Sequence, residues 1–84
     1  MFLHVIDVLY LEDYKLRLEF NEGTVKVVDL KNELFGEIFK PLLNIELFKQ
    51  VKINPDKNTI EWENGADFAP EFLYEIGEKV RKIA

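Results

Sequence analysis

The chain of 84 residues has no cysteine and no serine. Disulfides, thiolate metal sites and cysteine or serine nucleophiles are therefore excluded. A single histidine rules out a multi-histidine metal centre. Four glycines and three prolines are too few and too dispersed to form a linker or a glycine-rich phosphate loop. Apolar runs fall far short of the roughly 18 residues that a membrane span needs, and no basic segment precedes the first apolar stretch. A soluble, cytoplasmic protein is expected. What is present is apolar and acidic: 48% of residues are hydrophobic, 13% are aromatic, and 16 acids against 11 bases leave a net charge of −5. That composition suits one domain over 1–84. A domain of this size buries only about 60% of its unfolded surface and needs an efficient core or a partner surface.

Period-two alternation marks the strands. Leu16, Leu18 and Phe20 alternate with Lys15, Arg17 and Glu19, giving a strand with one wet face. Asn21-Glu22-Gly23 closes a hairpin into a second strand from Thr24 to Leu30, with Val25 and Val27 on the core side and Lys26 opposite. The alternation slips at Val27-Val28, so a bulge or strand end is expected there. Leu3–Leu11 is apolar on both phases, as in a strand covered on two faces or lying at a contact with another chain. Val51 and Ile53, the turn Asn54-Pro55-Asp56-Lys57-Asn58, and Ile60 and Trp62 make a second hairpin.

Between the hairpins, Leu34, Phe35, Ile38, Phe39, Leu42 and Leu43 have helical spacing, but Gly36 and Pro41 limit it to a turn or two. After Pro70, Leu73, Ile76, Val80 and Ile83 recur at three and four, which predicts a C-terminal amphipathic helix. Ala69 offers no capping oxygen, leaving Asp67 as the nearest candidate to accept the first helical amides. The expected fold is α+β: a small antiparallel sheet built from two hairpins, a short middle helix and a C-terminal helix.

Few residues invite chemistry. His4 and Asp7 form the one close imidazole–carboxylate combination, yet a three-residue spacing puts them on opposite strand faces. Glu61 and Glu63 share a face across Trp62, but no compact motif adds further metal ligands, and two acids on a wet face are ordinary solubility. Asp29 and Asp67 each sit beside a turn, where a carboxylate accepts backbone amides. Lys15, Arg17 and Lys26 could line one patch, but Glu19 and Glu22 lie among them and the chain is acidic, so autonomous nucleic-acid binding is not expected. A small domain cannot cover Phe35, Phe39, Phe48, Trp62, Phe68, Phe72 and Tyr74 together, and those left exposed would mark a contact surface.

The stretch Trp62-Glu63-Asn64-Gly65-Ala66-Asp67-Phe68-Ala69-Pro70-Glu71-Phe72-Leu73-Tyr74 resembles the C-terminal signature of a small bacterial family, domain of unknown function 2442. Gly23, Val28-Asp29-Leu30 and Phe48–Ile53 match it further upstream. Glu63 stands where the family usually has proline, and Ala69 where a capping hydroxyl is common. The resemblance implies no catalytic activity. It implies an operon neighbour of another small family, of unknown function 4160, in an arrangement like that of toxin and antitoxin pairs. Some members are fused to a helix-turn-helix domain, so a DNA-reading role here would fall to a partner.

Together these readings predict a non-catalytic interaction module, antitoxin-like or regulatory, that binds a small basic neighbouring gene product and uses no cofactor or metal. The candidate interaction residues are Trp62, Asn64, Gly65, Asp67, Pro70 and Tyr74. A small-ligand-sensing domain with a pocket near Trp62 is the alternative. A symmetric homodimer is also expected, hiding Leu3–Leu11 or an open strand edge.

Overall fold

Leu16, Leu18 and Phe20 are fully buried in β2 (Lys15–Phe20), which lies between β1 (Val5–Glu12) and β3 (Val25–Asp29) in an antiparallel sheet. The computed structural model describes residues 2–80. Asp13, at φ 48°, turns β1 into β2, and Gly23, at φ 95°, turns β2 into β3. Both are conformations that glycine and short polar residues tolerate best. β4 (Lys52–Asn54) and β5 (Thr59–Glu61) form a separate two-stranded sheet with Ile53 opposite Ile60. The α+β architecture is as the sequence predicts, although its hairpins build two sheets where one was expected.

The middle segment forms no continuous helix. A 3-10 turn at Lys31–Glu33, a second at Lys40–Leu43 and a single turn, α1 (Ile45–Phe48), follow one another. Asn44 caps α1 by accepting the Glu46 amide at 3.0 Å. Asp29 accepts the Lys31 amide at 3.0 Å, the turn role expected of it. Leu34, Leu42 and Phe48 drop from these turns into the core that also holds Trp62 and Leu73.

Three expectations are corrected. The C-terminal helix, α2, spans only Pro70–Ile76. A Cβ on Gly77 would stand 2.9 Å from Lys26 Cβ and 3.0 Å from both the Leu73 carbonyl oxygen and Val28 Cγ1. The chain runs flat against β3 there and continues as β6 (Glu78–Lys79), giving the sheet order β1-β2-β3-β6. Val80 is exposed, and Ile83, the last position of the expected apolar stripe, lies outside the described residues.

The register between β2 and β3 is unbroken at Val27-Val28, and the irregularities fall in β1, near Ile6 and Leu11. Because Leu16 pairs with Val28, the core face of β3 carries Val28 and Lys26, while Val25 and Val27 lie on the open face. Lys26 tolerates that side because its amine crosses the Tyr74 ring at 3.7 Å from the centroid and donates to the Tyr74 carbonyl. Its position near the end of α2 also suits the helix dipole.

Third, Asp67 does not cap α2, whose first turn has no side-chain cap.

Candidate functional site

Trp62 is only 2% exposed, and its Nε1–H donates to the Phe48 carbonyl at 2.8 Å. A buried indole needs such an acceptor, and this one fastens β5 to the end of α1. The chain then turns tightly: the Gly65 amide donates to the Trp62 carbonyl, and the Trp62 amide to the Ala66 carbonyl, each at 2.9 Å. Gly65 adopts φ 90°, a left-handed conformation that glycine takes without strain. Asn64 accepts the Ala66 amide at 3.1 Å and donates from Nδ2 to the Ile38 carbonyl at 2.8 Å, tying this turn to the middle segment.

Asp67 and Glu61 flank the Lys57 amine, at 3.1 and 2.6 Å. Glu61 also accepts from Asn54 Nδ2 at 3.0 Å. The hydrogen bond from Lys57, then that from Asn54, holds the Glu61 carboxyl below its ordinary range, and Glu61 followed by Asp67 raises Lys57. Glu22 is likewise lowered by its bond with the Thr24 side chain, then by that with Tyr74. Pro70 opens α2, and Tyr74 lies edge-on to Phe20 with ring centroids 5.1 Å apart.

Two apolar concavities flank the middle segment. A cleft of about 330 Å³ beside Trp62 is lined by Pro41, Leu42, Leu47, Gln50, Glu63 and Asn64. A shallower groove of about 450 Å³ is lined by Phe35, Phe39, Phe68, Ala69 and Phe72, together with Glu33 and Asp67. Phe39 stacks on Phe68 at 4.6 Å and Phe68 on Phe72 at 5.7 Å, while Phe35, which lines the same groove, is 71% exposed.

A family model described as Protein of unknown function (DUF2442) matches residues 5–79. The chain belongs to this family. No curated protein and no solved structure matches it. The match runs from the start of β1 to the end of β6, so the DUF2442 region holds both sheets and both concavities.

Within this DUF2442 chain the six candidate residues do not line one common concavity, and their work is largely internal. Trp62 fills the core, Asn64 and Gly65 make the turn, Asp67 holds Lys57, Pro70 starts α2 and Tyr74 receives Lys26. Only Trp62 and Asn64 line the cleft, and only Asp67 reaches the aromatic groove. Among the described residues, no group of three or more histidine and acidic side chains could hold a metal ion, and no buried side-chain polar atom lacks a partner. Sequence reasoning did not find Lys57, although its four-residue spacing from Glu61 across a turn was the available signal.

Proposed function

We propose that the protein is a non-catalytic interaction module that holds a small basic protein against the phenylalanine groove. The observation that carries this reading is the aromatic row Phe39, Phe68 and Phe72 in a groove also lined by the exposed Phe35 and by Glu33 and Asp67. Accessible aromatics suit the anchoring centre of an interface, and lysine or arginine side chains of a partner can lie over such rings while pairing with Glu33, since Asp67 already pairs with Lys57. The net charge of −5 favours encounter with a basic surface. The family resemblance supplies the kind of partner, a neighbouring gene product in an antitoxin-like or regulatory pair, with both proteins in the cytoplasm.

Co-expression with the adjacent gene tests this. A complex is expected on size exclusion, with Phe35→Asp weakening it by about tenfold or more. Failure of the two proteins to associate overturns the reading.

A second reading, a small apolar ligand in the cleft beside Trp62, rests on that cleft's volume of about 330 Å³ and its leucine and proline lining. Such a ligand would change the fluorescence of the single tryptophan, whereas a partner at the phenylalanine groove would act more weakly on it.

A further inference from the structure

At the far end of the larger sheet, β1 is the terminal strand. Beyond Val5, whose amide donates to the Asn58 carbonyl at 2.9 Å, its outward backbone pairs with nothing among the described residues. Exposed edges template further strand pairing, and proteins commonly blunt them with shortness, lysine or proline. The opposite edge follows that rule, since β6 has two residues and one is Lys79. β1 has no lysine, arginine or proline among its eight residues, and between its irregularities near Ile6 and Leu11 the stretch Asp7–Tyr10 keeps a regular register. Leu9 is 54% exposed on the open sheet face, with Leu11 nearby. On that face Asp7 stands directly opposite Glu19. Like charges so placed repel, and neither joins an ion pair among the described residues.

We propose that β1 accepts an extended basic strand from a partner protein. The added backbone completes the open ladder, apolar side chains at alternate positions cover Leu9 and Leu11, and a lysine or arginine beside Asp7 neutralises the Asp7–Glu19 pair. Charge decides the occupant. Glu12 already stands opposite Lys15, but Asp7 faces Glu19 and β1 itself has no base, so a second copy of β1 brings no cation to that pair, whereas a basic strand does. This inference rests on the protein being a binder of basic proteins, but it uses a surface separate from the phenylalanine groove.

The test is titration with an end-blocked peptide of alternating lysine and valine, matched to β1 in length, against a glutamate–valine control. The lysine–valine peptide is expected to bind at least about tenfold more tightly, to weaken as salt is raised, and to protect from hydrogen exchange the outward-facing amides between Ile6 and Leu11, which β2 does not pair. Leu9→Lys, on the open face, should reduce affinity by about tenfold or more without unfolding the protein. Asp7→Asn should raise the melting temperature of the free protein yet weaken the peptide complex, a pairing of effects that loss of fold cannot produce. Phe35→Asp should leave peptide binding unchanged, which separates failure at this edge from failure at the groove. Equal affinity for the two peptides, or protection elsewhere than β1, overturns the proposal. So does a dimer on sedimentation whose outward-facing β1 amides are already protected without peptide, which would assign the edge to a second copy.

Discussion

Trp62 joins two elements through one hydrogen bond, and that bond separates the value of the indole's bulk from that of its N–H. Trp62→Phe keeps much of the ring but strands the Phe48 carbonyl, which should cost about 1–3 kcal/mol, whereas Trp62→Ala should cost about 3–5 kcal/mol. Urea unfolding of both variants would distinguish the two contributions, and equal losses would mean that the hydrogen bond, which both variants lack, carries the whole effect and the remaining ring bulk none. The same residue scale sets the acid limit. Glu61 and Glu22 titrate lower in the folded protein than in the unfolded chain, so their stabilisation is present above the ordinary carboxylate range and lost as pH falls through their folded values. Stability should therefore decline below about pH 4, and Lys57→Met should flatten that decline by releasing Glu61. An unchanged acid profile in Lys57→Met would contradict the assignment.

For the elements, the strands were the most legible part of the sequence and the end of α2 the least. Alternation in Leu16–Phe20 and around Ile53 and Ile60 finds the half-buried strands because each has one wet face. It misplaces Val25 and Val27 because a lysine at the core-side position of β3 looks like the wet side, and only the packing of Lys26 on Tyr74 reverses that. Apolar spacing carried the helix past Gly77 because nothing local shows how closely β3 would approach it. Gly77→Ala should accordingly destabilise the protein and free β6 first, seen as faster amide exchange at Val80, whose N–H bonds to the Val25 carbonyl at 3.0 Å. Ala69→Ser supplies the cap that α2 lacks and should add about 1 kcal/mol to thermal or urea stability. A neutral or destabilising outcome would mean that water already satisfies the first turn.

Across the whole molecule, the family signature and the exposed surface prove to be different things. Trp62, Asn64, Gly65 and Pro70 are readable in sequence because a tight turn and a helix start impose residue types, so their pattern reports the fold. The phenylalanine groove assembles Phe35 and Phe39 with Phe68 and Phe72 across the long separation between the middle segment and α2, so only an excess of aromatics was visible beforehand. Binding of a basic protein at this groove is the proposal on which the functional reading turns. The most direct measurement is calorimetric titration of the protein with the adjacent gene's product at low and high salt, repeated with Phe35→Asp. Saturable binding is expected, weakening with salt and falling about tenfold or more in the variant. Absence of binding, or binding that Phe35→Asp leaves intact, would contradict it.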